Sequence, residues 1–380
     1  MARPAFDEKE FEVKGMYPGI ERFEVSEKGR TSIPETPIYN RPISVRENWK
    51  LLFEGRKPYW IPTTGWIMCE QNQFRPRLCP DNVGNHQIFD GGPAEDYDKL
   101  DRITRGWFDL KLEWEPMASG ATVRPGDPKV KDINCWEDYV SIPNLDEVDW
   151  EQYLKENREY LSIDKMNQLG IQFGLWERLM CLMDVDKAAV ALIDDEQKEG
   201  VHRFFDRLCD FYDDYIGRIA ALYDIQGVYF HDDWAHQNGP FFSVDTAMEM
   251  LLPYMKRLVE SAHKRGLYFE HHCCGKAEML VPVMIEAGVD MWCGQEINDQ
   301  DMLAQKYKEA PIVLGVRNPP IPQDGTDDEL RKIAKEWVNR YKDCRIGAMF
   351  AYDTAFETQA FQKFVRYVYE YSRKAFCDFD

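Results

Sequence analysis

The feature that most limits the fold is a regular alternation of helical and strand patterns through the second half of the chain. The stretch from Trp176 to Tyr223, "WERLMCLMDV…GRIAALY", carries apolar residues every three or four positions, so it reads as strongly helical, and it feeds "IQGVYFHDD", a short apolar strand. "VDTAMEMLLPYMKRLVESAHKRG" repeats the helix, with a cap at Asp245 and a stop at Gly266, and "LYFEHHCC" repeats the strand. "AEMLVPVMIEAG" then leads to "VDMWCG", "DMLAQKYKEA" to "PIVLGVR" and "TDDELRKIAKEWVNRYKDC" to "IGAMFAY", before a closing helix "TQAFQKFVRYVYEYSRKAF". Helix–strand units of about 25–35 residues specify a parallel sheet. Their number predicts an α/β protein, a (β/α)8 TIM barrel with an N-terminal extension and insertions.

Residues 1–45 are polar and punctuated by proline ("RTSIPETPIYNRPIS"), which suits an arm, and residues 46–380 supply the barrel. Within them "VRENWKLLFEG" is a helix closed by Gly55, "YWIPTTGW" is the first strand, and 79–150 is a loop-rich insertion.

Charge removes some functions. With 67 acidic against 47 basic residues the net charge is -20, which repels phosphate backbones and anionic lipid, so neither nucleic acid nor membrane is an expected partner. No apolar run approaches the roughly 18–20 residues that span a bilayer, and the first residues lack a secretion signal, so a cytoplasmic protein is expected. The ten cysteines contain no CxxC pair, against both a disulfide framework and a zinc ribbon. Eight tryptophans crowd the first 180 residues. They suit core packing, and also a pocket for a flat ligand.

In a barrel of this kind reactive groups gather at the C-terminal ends of the strands. In "LYFEHHCCG" strand alternation puts Glu270, His272 and Cys274 on one face and Phe269, His271 and Cys273 on the other. His272 and Cys274 are a nitrogen and a thiolate that can reach one zinc ion, and Cys293, at the end of the next strand, is a candidate third ligand. Packing alone also explains a strand-end histidine and a buried thiol. "FHDDWAHQNGPF" supplies Asp232, Asp233 and His236 as candidate catalytic groups, with His231 beside them. They could serve as acid, base or partners of a metal-bound histidine, although a double aspartate after a strand is also a common helix cap or turn. Trp66, Glu270 and Gln295, at strand ends, are expected to bind substrate.

The blocks "RPISVRENWKLLFEGRKPYWIPT", "PMASGATVRPGDPKVKDINCWEDYVSIPNLDEVDW", "GVYFHDDWAHQNGPFFS" and "LYFEHHCCGKAEMLVPVMIEAGVDMWCGQ" together resemble the uroporphyrinogen decarboxylase superfamily. More narrowly they resemble its corrinoid-dependent methyltransferases, of the methylcobalamin:coenzyme M kind. The resemblance runs from about residue 40 to the C-terminus and implies a (β/α)8 barrel. It also implies zinc held through His-x-Cys-Gly, matched by His272, Cys274 and Gly275, with a later cysteine. Where that last cysteine is expected the chain reads "IGAMFAYDTAF", so the third ligand stays open among Cys293, Asp353, Glu270 and a substrate atom. The Arg-Gln-Ala-Gly-Arg-Tyr segment of true decarboxylases is replaced by "GWIMCEQNQFRPR", though Arg75, Arg77 and Arg124 keep a zinc-free decarboxylase or lyase as the alternative.

By this resemblance the protein exchanges a methyl group between a small methylated compound, such as a methoxylated aromatic, or a thiol, and the cobalt of a corrinoid. Asp233, His236 and Gly239 approach the Asp-x-His-x-x-Gly loop that seats a corrinoid, but the aspartate stands one residue too far away. The corrinoid is therefore expected on a partner protein. A homodimer is expected from the resemblance as well.

Overall fold

The computed structural model describes residues 3–17, 20–21, 32–33, 36–64, 70–74, 103–105, 107–115, 120–151, 161, 164–350 and 358–377. Eight strands make its central sheet: β1 Thr63–Thr64, β2 Gln71–Phe74, β3 Met166–Ile171, β4 Gly227–His231, β5 Tyr268–His272, β6 Met291–Trp292, β7 Val313–Arg317 and β8 Ile346–Met349. Their spatial order is β1-β8-β7-β6-β5-β4-β3-β2, with parallel pairing at every step. The two ends of this order meet where the Glu70 N–H donates to the Thr63 carbonyl at 3.2 Å and the Thr64 hydroxyl bonds Gln71. The ring is thus a nearly closed barrel, as the helix–strand alternation predicts. Burial on both faces explains why its strands read as apolar runs: all six residues of β3 are buried.

Helices alternate with the later strands: α1 Val45–Phe53 before the barrel, then α2 Leu175–Met183, α3 Lys198–Leu222, α4 Leu252–His263, α5 Val281–Ala287, α6 Gln300–Lys306, α7 Asp327–Tyr341 and α8 Gln359–Phe376. Reciprocal hydrogen bonds of Ser44 with Glu47 and of Thr326 with Glu329 satisfy the first N–H groups of α1 and α7. Gly55 and Gly266, both at φ +73, turn the chain out of α1 and α4. Two local expectations need correction. The long helical stretch is broken, because Asp184 at φ +69 stops α2, and a short helix Val185–Ala191 intervenes before α3. The cap ahead of α4 is Ser243, whose hydroxyl accepts the Thr246 N–H at 3.0 Å. Asp245 lies inside that first turn, where its charge complements the helix dipole. Between β2 and β3 the described insertion is an antiparallel sheet of Ile103–Arg105, Lys111–Glu115 and Gly120–Val123.

Helix α1 carries Trp49 into the barrel floor against Met166, Met291 and Val313. The largest apolar cluster lies between β3–β6 and helices α2–α5, and a second joins α7 and α8 to the sheet. The described part of the N-terminal segment is fastened to this floor. Arg373 of α8 donates twice to Glu10 at 2.8 Å, the Tyr369 hydroxyl donates to Glu10 at 2.5 Å, and Arg41 pairs with Glu70 beside the rings of Trp60 and Tyr369. Trp49, Trp60, Trp136 and Trp176 are buried in the core, which accounts for them by packing. Among the described residues no helix is long and apolar enough to cross a membrane.

Candidate metal centre

Strands β4 and β5 run in register, so their last residues, His231 and His272, stand side by side at the C-terminal rim with ring centroids 5.0 Å apart. Alternation then decides the next positions. On β4 the inward face continues from Tyr229 through His231 to Asp233, and on β5 from Glu270 through His272 to Cys274. The ring of Tyr229 stacks on that of His272 at 5.4 Å, which steadies the imidazole from below. Ligand atoms of His231, Asp233, His272 and Cys274 all lie within 4.8 Å of one another. His272 Nε2 is 3.3 Å from Cys274 Sγ, and His231 Nε2 is 3.8 Å from Asp233 Oδ1. Bonds of about 2.0–2.3 Å to a tetrahedral zinc ion put its ligands roughly 3.3–3.8 Å apart, so the separations fit. Two imidazoles, a thiol and a carboxylate are also the donor types that a borderline-soft ion selects.

The surroundings hold these groups in place. Glu177, in the first turn of α2, bonds His231 Nδ1 at 2.8 Å and leaves Nε2 turned toward the other three. Burial raises the Glu177 pKa, opposed by the imidazole it bonds. Burial alone would depress His231, but the Glu177 and Asp233 carboxylates lift it well above the usual histidine range. The Cys274 thiol is pushed up, chiefly by burial, while His231 beside it pulls the other way. Asp233 Oδ1 accepts the Cys274 N–H at 2.5 Å, tying the thiol loop to the end of β4. Gly275, at φ +75, completes that loop. A Cβ there would lie 2.7 Å from the backbone of Ala235 and His236, so only glycine lets the two loops touch.

The other sequence candidates separate into distinct places. Asp232 points away from the rim and caps α2: N–H groups of Leu175, Trp176 and Glu177 donate to it at 3.0, 3.2 and 2.9 Å, and Trp234 Nε1 at 2.9 Å. Burial pushes it up to about 7 against those four donors. His236 is exposed on a small hairpin, its ring against Phe241 at 5.1 Å. Cys293 is buried inside the barrel, hydrogen-bonded to Glu270 and outside the four-residue group. Glu270 lies deep in the barrel, where Gln168 Nε2 donates to it at 2.8 Å, and burial pushes it up to about 7. Gln295 Oε1 accepts the Gly275 N–H at 2.8 Å and so braces the thiol loop. Trp66 and Asp353, like Arg75 and Arg77, lie outside the described residues.

The profile of the uroporphyrinogen decarboxylase (URO-D) family matches residues 107–371. The chain belongs to that family. Among solved structures, this URO-D protein is similar to a methyltransferase from Methanosarcina mazei, with 14% identity, 88% of this chain and 99% of that chain covered, and a TM-score of 0.56. At that identity the likeness shows a shared fold. A glycosylated endo-beta-1,4-xylanase from Gloeophyllum trabeum reaches 10% identity and a TM-score of 0.32 over 54% of this chain and 76% of that one, too little to bear on function. No curated protein matches the chain in sequence.

Sequence reasoning on this URO-D protein placed His231 beside the candidate acids without making it a ligand. The alternation applied to β5 applies equally to β4 and selects His231 and Asp233 for the inside. Glu177 is 54 positions away from its histidine and carries no such signal.

Proposed function

We propose that this URO-D family protein is a zinc-dependent methyltransferase, exchanging a methyl group between a small methylated compound or a thiol and the cobalt of a corrinoid carried by a partner protein. The observation that carries the reading is the convergence of His231, Asp233, His272 and Cys274 at the rim where a (β/α)8 barrel places its chemistry. The shared fold with the Methanosarcina mazei methyltransferase supports it. Catalytic zinc keeps one position for the reacting atom, so His231, His272 and Cys274 are the proposed holding set. Asp233 stands at its edge, committed to the Cys274 N–H. When bound there, zinc supplies Lewis acidity, which favours a thiolate over a thiol or draws electron density from an ether oxygen. Glu177 fixes the tautomer of His231 with the proton on Nδ1. Asp232 acts one step further out, by holding the helix that carries Glu177.

The corrinoid is a co-substrate in this reading, brought by a separate small protein that docks over the strand C-termini, and the enzyme itself is a homodimer. The rival reading, a zinc-free decarboxylase, leaves the four converging side chains without a purpose. Methyl exchange with free cob(I)alamin or a corrinoid protein tests the proposal, together with elemental analysis of protein purified without chelator. Activity should require the corrinoid and collapse in His272→Ala with the fold retained. Metal-replete protein that holds no zinc, or full-rate methyl transfer without any corrinoid, sinks the reading. A monomer in light scattering at micromolar concentration sinks the dimer alone.

A further inference from the structure

Barrel interiors are ordinarily filled with branched apolar side chains in layers. The floor here obeys that rule with Met166 and Met291 against Trp49. Two residues further along the character changes, to Gln168 on β3 and, just past the end of β6, Cys293. These meet Glu270 of β5 and Gln71 of β2 across the interior, with Gln168 Nε2 donating to Glu270 Oε2 at 2.8 Å, Gln71 Nε2 at 3.4 Å and Cys293 bonding the same carboxylate. Every one of these partners is neutral. Among the described residues no lysine or arginine acts on Glu270, although it is only 2% exposed. Gln168, 1% exposed, has a buried Oε1 without a hydrogen-bond partner. Its amide cannot simply be flipped, because Nε2 is the atom that faces the carboxylate.

An orphaned amide oxygen in a buried layer that holds no cation costs stability. Natural chains keep such a group where a ligand completes it. The Gln168 oxygen is an acceptor, so what completes it is a donor. Glu270 also stands two residues before His272 on one strand, which sets the layer about 6–7 Å below the metal centre at about 3.3 Å per residue.

We infer that the substrate carries a hydrogen-bond-donating, non-anionic head group, a hydroxyl or an ammonium, which seats on Glu270 and Gln168 while its reacting end lies at His231, His272 and Cys274. The inference rests on the methyltransferase reading for the reacting end and on the polar layer for the head. An ionised carboxylate, sulfonate or phosphate head has no donor for the Gln168 oxygen, and no described lysine or arginine in this layer answers its charge.

Three probes with one ring and one methoxy group separate the possibilities: 4-methoxyphenol, 4-methoxybenzylamine and 4-methoxybenzoate, each titrated calorimetrically into the full chain. At least one donor head should bind about tenfold or more tightly than the benzoate, the worth of one buried hydrogen bond. The phenol leading identifies a hydroxyl substrate, and the amine leading an ammonium. In Glu270→Gln the preference over benzoate should fall at least tenfold while metal content stays unchanged. Benzoate binding as tightly as both donors, or no binding of any probe at millimolar concentration, overturns the inference. Metal content of the same samples keeps the two readings apart, since zinc-loaded protein without head-group preference refutes only the inference, and zinc-free protein refutes the methyltransferase.

Discussion

The floor and the rim of the barrel both bury charged side chains, and they treat them in opposite ways. At the floor each acid meets a guanidinium: Glu10 meets Arg373, itself fully buried, and Glu70 meets Arg41, with Tyr369 and Trp60 closing over them. At the rim Glu177, Asp232, Asp233 and Cys274 are answered by imidazoles and N–H groups. Arg178 lies over the rings of Phe108 and Phe173 at 4.5 and 5.1 Å and adds only the smallest of the pulls on Glu177, behind the His231 imidazole. A saturated ion pair holds a fold together, and removing one partner leaves a stranded charge. A buried excess of acceptors instead makes a field that a cation completes. The first arrangement ties the N-terminal segment and α8 to the barrel, and the second is where chemistry belongs.

One substitution in each region tests the contrast most strongly. Cys274→Ser should remove essentially all bound metal, read by elemental analysis, while circular dichroism stays that of the wild type. Glu10→Gln should leave metal content unchanged yet cost about 3–5 kcal/mol, read from the denaturant midpoint, because Arg373 is stranded without its carboxylate. Should Glu10→Gln unfold no more easily than wild type, or Cys274→Ser keep its metal, the division between floor and rim is wrong.

A smaller effect is expected at Glu177, which reaches the candidate metal group through its hydrogen bond to His231. Glu177→Ala should weaken zinc binding about 10–100-fold in competition with a chelator, as loss of a histidine's outer partner does elsewhere. Glu177→Gln, whose amide oxygen can still accept the Nδ1 proton, should recover part of the loss. Equal affinities in all three proteins would show that the hydrogen bond does not orient His231.

That residue also marks where sequence reasoning ends. The barrel was legible because each helix–strand unit repeats its own apolar period, and the break at Asp184 was not, since a single positive φ leaves no periodic trace. His272 and Cys274 were legible from strand alternation. The Asp232–Asp233 doublet divides, because neighbours in a strand face opposite ways: Asp233 stands with the candidate metal group and Asp232 caps a helix. Cys293 stands at a strand end, as Cys274 does, but follows a strand of only two residues and turns its thiol to Glu270. Glu177 reaches the site through the fold alone.

The mildest test concerns a pair that is neither floor nor rim. Asp213 of α3 accepts from Ser261 Oγ at 2.5 Å and Arg265 Nη1 at 2.7 Å and pairs with Lys264 at 2.6 Å, joining α3 to the end of α4. Burial alone would raise its pKa, but those donors hold it well below the ordinary carboxylate range. A depressed folded value means that, on lowering the pH, the unfolded chain takes up the proton first. The stabilisation is therefore complete above the unfolded value of about 4 and is lost as the pH falls toward the folded value. With 38% of the side chain exposed, water and salt screen the pair, so Asp213→Asn should cost only about 1 kcal/mol at pH 7. The gap between variant and wild type should narrow on going from pH 5 to pH 3 in urea unfolding, and it should shrink with added salt at pH 7. A gap that persists unchanged at pH 3 would assign the effect to packing rather than charge. A gap of the size expected for Glu10→Gln would mean that the half-exposed pair is held as tightly as the floor, and burial would no longer explain the difference between them.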